Sequence, residues 1–327
     1  MCRICSAVER SEKHMIIEKI QENIYLAPMT TFKIGGPAKY FVQITSKDEL
    51  VEAVDWAKEK GEKIFFFGGG SNVLVSDNII DGLVIRLGNS RAEVKGERIE
   101  CQSGTPLSQA IILSSGNGLS GLEWAIGIPG TIGGAIRGNA GAYGHSTSEV
   151  VETVEIFDFE AGKFSTFSKN DCAFGYRESV FKKIPKYIIV SATLKLNLSN
   201  PETVKATINE IISKRGLNHP KLPSAGSVFK NIKIEDLREM NPSIAKMVEK
   251  EGVVKGNMVG VGWLIEILGV KGKTMGGAKV SLEHGNFIVN TGKATASDVV
   301  MLISFIKQQM RTKFNIQLSE EIQYFGM

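Results

Sequence analysis

The sequence lacks any stretch of about 18 consecutive apolar residues. A helix that crosses a membrane needs about 20 such residues, so we expect no membrane-spanning segment and no membrane partner. Residues 1–20 also carry many charged side chains, a pattern that argues against a secretory signal peptide.

Cysteine and histidine are both scarce, with four residues of each. Scattered cysteines favour a reducing compartment over a disulfide framework, and we therefore expect the cytoplasm. Cys2 and Cys5 have the C-x-x-C spacing of a metal site, but zinc needs two further ligands and the histidines are dispersed. The sequence therefore predicts no metal centre.

A strong excess of one charge is also missing, since the chain has 39 basic and 35 acidic residues and a net charge of +4. This excess is too small for a nucleic-acid interface, and it does not oppose a small anionic ligand. With 327 residues and 43% apolar content, the chain is long enough for two or three domains with cores of their own.

The first part of the chain alternates helical and strand patterns. Ser46 and Glu49 precede an apolar periodicity that predicts a capped helix ending near Gly61. An apolar run at 63–67 and a second run at 83–85 predict strands. Short β-like runs then continue to residue 199, which predicts a second lobe built mostly of sheet.

Helical periodicity replaces the strand pattern after Pro201, with Gly216 as the expected C-terminal cap. The step from Asn241 to Pro242 predicts an N-cap followed by a first-turn proline. Further helices are expected near 259–268 and 297–314, and a strand near 287–290. We place a domain boundary between about 200 and 220.

Two glycine-rich loops carry the strongest functional signal. Gly68, Gly69 and Gly70 follow a predicted strand, and glycine allows backbone N–H groups to approach a phosphate closely. Taken alone, this loop is explained equally well as a glycine-rich hairpin. The second loop, 127–134, has four glycines in eight residues, more than a structural turn ordinarily needs.

Two common nucleotide-binding motifs are not matched by these glycines. Gly68 and Gly70 reproduce only the first half of the G-x-G-x-x-G fingerprint, which disfavours a Rossmann domain. Gly272 and Lys273 resemble the end of a P-loop, but Ile267 stands where its first glycine belongs. Walker-type ATP binding is therefore excluded.

With residues 139–144, the two loops resemble the FAD-binding region of the UDP-N-acetylenolpyruvoylglucosamine reductase family, within the vanillyl-alcohol-oxidase-like (PCMH-type) flavin fold. The other matching segments, in family order, are 31–38, 174–179, 223–231, 271–272, 276–281, 284–287 and 318–322. The resemblance implies an α+β fold, with a two-lobed FAD-binding region followed by a C-terminal α/β substrate-binding domain. The expected boundaries are 1–19 for an N-terminal extension, 20–86 and 87–200 for the two FAD-binding lobes, and 205–327 for the C-terminal domain.

The resemblance also implies an activity. The family reduces UDP-N-acetylglucosamine enolpyruvate to UDP-N-acetylmuramate, with NADPH as hydride donor and non-covalent FAD as carrier, in peptidoglycan precursor synthesis. The reaction needs a fixed cation for the developing enolate and a proton donor for the remaining carbon. The resemblance assigns these roles to Arg177 and Ser227, and it makes Glu321 the third catalytic residue. Whether Glu321 orients Arg177, orients the substrate or relays a proton stays open.

Without the resemblance, each of these residues has an ordinary interpretation. A lone arginine is most often a solvated surface group, and a serine in a glycine-rich segment is most often a turn residue. The sequence around Ser227 also lacks the G-x-S-x-G elbow of a nucleophilic serine.

The implied cofactor contacts come from both loops and from two positions further on. They are Gly68, Gly69, Gly70, Ser71, Asn72, Val73, Gly127, Ile128, Pro129, Gly130, Thr131, Gly133, Gly134, Asn139, Gly141 and Arg215. The implied substrate contacts are Tyr176, Asn231, Lys271 and His284.

The sequence departs from the family pattern at three positions. Ile232 stands where proline is common, and Asn218 and His219 lie where a lysine often contributes. The short spacing between Arg177 and Ser227 resembles the form of the family that lacks an inserted tyrosine loop. We expect a monomer whose partners are the UDP-sugar and NADPH.

Two rival interpretations remain at this point. A different flavin oxidase or dehydrogenase of the same superfamily would explain the glycine loops but not the segments around Ser227 and Glu321. A nucleotide-binding module without activity is the second rival, and it is distinguished by whether the protein reduces anything.

Overall fold

The structure is a computed structural model, and it describes residues 16–327 except for the side chains of residues 217 and 218. Cys2, Cys5 and most of the expected extension at 1–19 lie outside the described residues. Over residues 16–327, no helix is long and apolar enough to cross a membrane.

The described chain contains both helices and strands. The helices are α1 (Lys47–Lys60), α2 (Leu107–Gly116), α3 (Ile132–Gly138), α4 (Val180–Lys183), α5 (Pro201–Asn218), α6 (Ile234–Met240), α7 (Pro242–Lys250), α8 (Val261–Leu268) and α9 (Ala296–Phe314).

The strands are β1 (Gln21–Tyr25), β2 (Pro37–Ile44), β3 (Ile64–Phe67), β4 (Val73–Val75), β5 (Ile80–Leu87), β6 (Ala92–Lys95), β7 (Arg98–Gln102), β8 (Leu119–Ser120), β9 (Gly141–Ala142), β10 (His145–Ser146), β11 (Val151–Asp158), β12 (Lys163–Ser168), β13 (Tyr187–Lys195), β14 (Asn197–Leu198), β15 (Ser224–Ser227), β16 (Ile232–Lys233), β17 (Val254–Lys255), β18 (Met258–Val259), β19 (Thr274–Met275), β20 (Ala278–Val280), β21 (Phe287–Asn290) and β22 (Gln323–Phe325). This content confirms the α+β class that the sequence predicts.

The described chain divides into two compact units. The first contains the residues up to Tyr25, Pro37–Gly69 and Ile79–Ile212. Its first sheet has the strand order β1-β2-β5-β3, in which β2, β5 and β3 run parallel. Its second sheet, of order β12-β11-β13-β7-β6, is antiparallel throughout and is the β-rich region that the sequence predicts.

Local caps explain where helix α1 begins and ends. The hydroxyl of Ser46 accepts the N–H of Glu49 at 3.1 Å, and the Glu49 carboxylate accepts the N–H of Thr45 at 2.6 Å. At the other end Gly61 adopts a left-handed conformation with φ +70°, which glycine enters without steric cost. Leu50 and Val54 bury the inner face of the helix against the first sheet.

The second unit joins the C-terminal part of the chain to two short earlier segments. It contains Leu26–Gly36, Gly70–Asn78 and Ser213–Met327. Its main sheet has the order β15-β21-β20-β19, and β4 pairs in parallel with β22. The apolar faces of α8 and α9 share one core with this sheet.

Segment 70–78 supplies a cap as well as a strand to this unit. The Asp77 carboxylate accepts the N–H groups of Ala296 at 2.8 Å and Ser297 at 3.1 Å. A carboxylate at the first turn of a helix satisfies unpaired donors and favours the helix dipole. Asp77 therefore ties the early segment to the start of α9.

The predicted cap at Gly216 is wrong, because α5 continues through this residue to Asn218. The N–H of His219 still donates to the carbonyl of Arg215 at 3.1 Å. Glycine inside a helix costs only about 1 kcal/mol relative to alanine. The effective stop is Pro220, since a proline disfavours helical conformation in the residue before it.

Candidate active site

The two glycine loops of the first unit touch each other through their backbones. A Cβ atom placed on Gly69 would lie 2.9 Å from the Cα of Gly130 and 3.3 Å from its carbonyl carbon. Gly130 itself has φ +123°, a conformation that L side chains rarely adopt. Glycine is therefore required at both positions for the loops to meet.

The second loop continues into helix α3, whose start is fixed by Thr131. The Thr131 hydroxyl accepts the N–H of Gly134 at 3.4 Å. A Cβ on Gly133 would lie 2.6 Å from the Ser103 hydroxyl, so this glycine allows close packing inside the unit. Gly134 is instead exposed.

These loops fit the diphosphate of a dinucleotide cofactor such as FAD. Among the described residues, the N–H groups of Gly69, Gly130 and Thr131 donate to no backbone or side-chain acceptor. Glycine backbone with unused donors is the arrangement that binds phosphate oxygens in other proteins. The geometry supports the predicted cofactor site in the part of each loop that belongs to the first unit.

Asn139 organises the segment that follows α3. It ends the helix in a left-handed conformation with φ +40°. Its side chain donates to the carbonyl of Gly175 at 2.8 Å and accepts the N–H of Ser148 at 3.0 Å. Asn139 thus fixes the turn that carries Tyr176 and Arg177.

Arg177 occupies a constrained position in that turn. Its φ of +56° is unusual for a residue with a side chain, and such backbone strain is common at functional sites. Its Nη2 donates to the carbonyl of Gly141 at 2.7 Å, and its guanidinium lies 5.3 Å from the centre of the Tyr176 ring. A Cβ on Gly141 would lie 2.5 Å from the carbonyl oxygen of His145 and 3.2 Å from Arg177 Nη1, so the glycine allows the backbone of His145 and the guanidinium to approach together.

Ser227 lies at the end of β15 in the second unit. It pairs with Phe287 of the neighbouring strand β21. Gly226, just before it, has φ +80°, which turns the strand at this point. Ser227 is half-buried, whereas Val228 and Phe229 after it are buried in the core.

Backbone hydrogen bonds place Glu321 beside the segment that follows Ser227 in the second unit. The N–H of Glu321 donates to the carbonyl of Val228 at 2.8 Å, one residue after Ser227. Asn72 donates from its side chain to the carbonyl of Glu321 at 3.3 Å. The neighbouring Glu320 forms an ion pair with Lys307 at 2.7 Å. Two of the three expected catalytic residues therefore share one hydrogen-bonded segment.

The four expected substrate contacts have different surroundings. Tyr176 is 40% exposed in the first unit. Asn231 accepts the N–H of Val261 at 3.3 Å at the start of α8. Lys271 forms an ion pair with Glu266 at 2.7 Å. These roles stay predictions, as do those of Ser71, Val73, Gly127, Ile128, Pro129 and Arg215.

His284, the fourth of these residues, is part of an aromatic cluster. Its ring centre lies 4.9 Å from that of Phe287 and 6.3 Å from that of His219. Burial, followed by the neighbouring His219, lowers the pKa of His284 below its ordinary value. Burial and then Arg215 lower the pKa of His219 in the same way. Both shifts favour the neutral form of the imidazole ring.

Sequence reasoning missed Asn286, which is only 3% exposed and makes contacts directly behind Ser227. Its side chain accepts the N–H of Phe229 at 3.0 Å and donates to the Phe229 carbonyl at 2.8 Å. The segment 284–287 matched the family pattern, but only His284 was selected from it. Membership of that segment was the signal that could have identified Asn286.

The contact between the glycine loops predicts the effect of Gly69→Ala. One added methyl group must push the loops apart, and overpacking of this kind costs about 1–3 kcal/mol. We expect a loss of FAD affinity of about fivefold to 150-fold, measured by titrating deflavinated protein with FAD. Gly138→Ala is the matched control, because a Cβ there meets no atom within 4 Å. Equal FAD affinity in both variants would remove the loop contact from the cofactor site.

Comparison with known proteins adds independent findings. Residues 38–168 match a family model described as an FAD binding domain, which confirms FAD as the expected cofactor. Residues 218–325 match a model described as the C-terminal domain of UDP-N-acetylenolpyruvoylglucosamine reductase. The second match includes Ser227, Asn286 and Glu321.

Proteins that are similar to this chain over nearly its whole length are also named UDP-N-acetylenolpyruvoylglucosamine reductase. The UDP-N-acetylenolpyruvoylglucosamine reductase of Solibacter usitatus is 37% identical over 92% of this chain and 95% of its own length. The reductase of a Thermotoga species is 37% identical over 94% and 97%. The crystal structure of the Thermus caldophilus enzyme aligns with a TM-score of 0.76 at 31% identity, covering 94% of this chain and 99% of that one.

These similarities extend over nearly the whole of both chains in each case. They include the glycine loops as well as the segments around Ser227 and Glu321, which a likeness confined to the flavin-binding region would not include. The chain belongs to the UDP-N-acetylenolpyruvoylglucosamine reductase family.

Proposed function

We propose that this protein reduces UDP-N-acetylglucosamine enolpyruvate to UDP-N-acetylmuramate with NADPH, a step in the synthesis of peptidoglycan precursors. The observation that carries the proposal is the match of the C-terminal family model over 218–325, joined to an FAD binding domain over 38–168. The relatives with this name cover more than nine-tenths of the chain. A general flavin oxidase would be expected to match only the second of these regions.

FAD, when bound, supplies the two-electron chemistry, taking a hydride from NADPH and giving it to the substrate. The residues of the first unit that would hold it are the backbone donors of Gly69, Gly130 and Thr131. The unused N–H groups described above support this assignment. The resemblance to the family also implies Gly70, Ser71 and Asn72 as cofactor contacts, and it implies that FAD is bound non-covalently.

Arg177 is proposed to stabilise the negative charge that develops on the substrate. Hydride addition to the terminal methylene carbon moves the π electrons of the double bond toward the carboxylate and forms an enolate. A guanidinium remains protonated and meets two oxygens at once, which suits this charge. The strained backbone and the bond to Gly141 hold the side chain in place in advance.

Ser227 is proposed to complete the reaction by protonation. Its hydroxyl gives a proton to the ether-bearing carbon of the enolate, and the serine then recovers a proton from solvent. A serine is a weak acid, but it is sufficient for a carbanion-like centre. Its half-buried position at a strand end supports access from one side.

Glu321 would assist from the adjoining segment, since its backbone is bonded to Val228. Its three possible roles are to orient Arg177, to orient the substrate or to relay a proton. Tyr176, Asn231, Lys271 and His284 would contact the UDP-sugar. Burial lowers the pKa of His284 and so favours the neutral ring, which would contact the sugar as a hydrogen-bond partner.

The remaining sequence predictions belong to this proposal. They are a vanillyl-alcohol-oxidase-like arrangement of the two FAD-binding lobes, a monomeric protein, a cytoplasmic location and no nucleic-acid or membrane partner. Sedimentation of the purified protein tests whether it is a monomer.

Two measurements on purified protein test the proposed activity. Acid or heat should release intact FAD, and flavin that stays on the denatured chain would contradict non-covalent binding. NADPH should be consumed steadily only when the enolpyruvyl sugar is present, with a product two hydrogens heavier by mass spectrometry. Reduction of the flavin by an alcohol in the absence of NADPH would favour a flavin oxidase or dehydrogenase, and no reduction of any substrate would favour a binding module without activity.

A further inference from the structure

The side chain of Asn286 forms a two-bond clamp on the backbone of Phe229. Its Oδ1 accepts the Phe229 N–H at 3.0 Å, and its Nδ2 donates to the Phe229 carbonyl at 2.8 Å. Both partners are buried, with Asn286 3% exposed and Phe229 1% exposed. Because a buried amide loses water on folding, both of these bonds must be made for the site to be stable, which restricts the segment to one position.

The backbone of Asn286 extends the clamp toward Ser227. Its carbonyl accepts the N–H of Val228 at 2.8 Å, and the next residue, Phe287, pairs with Ser227 across the sheet. On the other side, the carbonyl of Val228 accepts the N–H of Glu321 at 2.8 Å. The two residues that follow Ser227 are thus fixed on one side by Asn286 and on the other by the Glu321 segment.

Asn286 is itself held by His284. The Nδ1 atom of His284 accepts the N–H of Asn286 at 3.2 Å, which requires an unprotonated nitrogen there. The ring is wedged tightly, since a Cβ on Gly262 would lie 2.8 Å from its Cε1 atom. The Ser281 hydroxyl accepts the N–H groups of Glu283 and His284 and completes the turn. The clamp therefore rests on a rigid turn.

We propose that Asn286 is a positioning residue, which acts by holding the Ser227 hydroxyl in place for proton transfer. This inference rests on the proposed function, in which Ser227 is the proton donor. Proton transfer depends steeply on distance and alignment, and a misplacement of about 1 Å can cost about a hundredfold in rate. A donor at a strand end with a glycine before it needs such support from the residues behind it.

Asn290 provides a matched control for a purely structural effect. It is also buried, at 4% exposure, and is the last residue of strand β21, which Asn286 directly precedes. Its amide serves other backbone groups, donating to the Phe32 carbonyl at 3.1 Å and accepting the N–H groups of Gly292 at 2.8 Å and Ala294 at 3.0 Å. Loss of either amide removes a satisfied buried polar group, but only Asn286 contacts the segment after Ser227.

The experiment compares Asn286→Ala and Asn290→Ala, each alone and combined with Ser227→Ala. Stopped-flow absorbance follows flavin reduction by NADPH and its anaerobic reoxidation by the enolpyruvyl sugar, and thermal unfolding reports stability. We expect both single variants to lose stability to a similar degree. Only Asn286→Ala should slow reoxidation, by about a hundredfold, with flavin reduction and substrate affinity nearly unchanged.

The combined variant separates positioning from general damage. If Asn286 acts through Ser227, adding Asn286→Ala to Ser227→Ala should slow reoxidation by less than about threefold, because residues that act as a unit are not additive. A further loss of about a hundredfold in the combined variant would overturn the inference. Reoxidation of Asn286→Ala at the wild-type rate would do the same.

A second variant covers the case in which Asn286→Ala does not fold. Asn286→Asp keeps nearly the same shape and the acceptor for Phe229 N–H, but it sets a carboxylate against the Phe229 carbonyl. It should show the same selective slowing of reoxidation. If both variants fail to fold while Asn290→Ala folds, the role of Asn286 is structural and the inference is wrong. If wild-type protein itself is not reoxidised by the sugar, the proposed function fails instead.

Discussion

Replacing Ser227 with alanine should leave flavin reduction by NADPH at the wild-type rate and slow reoxidation by the enolpyruvyl sugar at least a thousandfold. Reduction needs no proton from Ser227, whereas the second half of the reaction does. General acid catalysis contributes about a hundredfold to ten-thousandfold, and a carbanion-like centre should lie near the top of that range. Substrate affinity should change little, because no buried charge is left unpaired.

Ser224→Ala is the matched control for this variant. Ser224 lies on the same strand as Ser227, and its backbone carbonyl, which the substitution leaves in place, accepts the Thr31 hydroxyl at 2.7 Å. We expect reoxidation of Ser224→Ala within a few-fold of wild type. Reoxidation of Ser227→Ala at a similar rate would show that another group donates the proton. Equal slowing of both half-reactions would show that the change acts on flavin position, which contradicts the assigned role.

Replacing Arg177 with methionine should slow reoxidation by about a hundredfold to a thousandfold. Removal of one fixed donor from a developing negative charge typically costs this much. Arg177→Lys retains the charge but loses the planar fork that meets two carboxylate oxygens, so we expect an intermediate loss.

Arg98→Met serves as the control for Arg177. Arg98 is exposed in the same unit, where it forms an ion pair with Glu152 at 2.6 Å. Exposed pairs of this kind contribute little to stability, and we expect both half-reactions to be unaffected. An Arg177→Met variant that is reoxidised as fast as Arg98→Met would remove Arg177 from enolate stabilisation. Faster reoxidation of Met than of Lys at this position would contradict a charge-based role.

The sequence predicts helix ends well where the responsible groups are close along the chain. The cap by Ser46 and the N-cap by Asn241 both act over three residues, and both are present as expected. The long helix expected at 297–314 is observed as Ala296–Phe314, capped by Thr295. Gly216 misled the prediction because a single glycine is a weaker stop than the proline that follows it.

Contacts between residues far apart along the chain could not be derived in the same way. Asn286 and Phe229 are joined by side-chain to backbone bonds across 57 positions, and no periodicity reports such a bond. Asp77 caps a helix that begins more than 200 residues later. The membership of the two compact units could not be derived from local sequence either, since segments 26–36 and 70–78 belong to the same unit as the C-terminal residues.

The candidate site illustrates why motifs were informative where periodicity was not. Glycines are required at positions 69 and 130 because two backbones meet there, and the sequence shows this requirement directly. Nothing in the local sequence of Arg177 indicates a left-handed backbone or a bond to Gly141. The likeness to the family selected this arginine, and the structure then gave physical reasons for its fixed orientation.

The proposal that this chain is a flavin-dependent enolpyruvyl reductase is tested most directly by one anaerobic titration. The absorption of the purified protein is recorded first alone, then with NADPH, and then with UDP-N-acetylglucosamine enolpyruvate. We predict a flavin spectrum that is bleached by NADPH and fully recovered on addition of the enolpyruvyl sugar. A bleached spectrum that recovers only when oxygen is admitted would contradict the proposed substrate. A protein that shows no spectrum of bound flavin after addition of FAD would contradict the cofactor site itself.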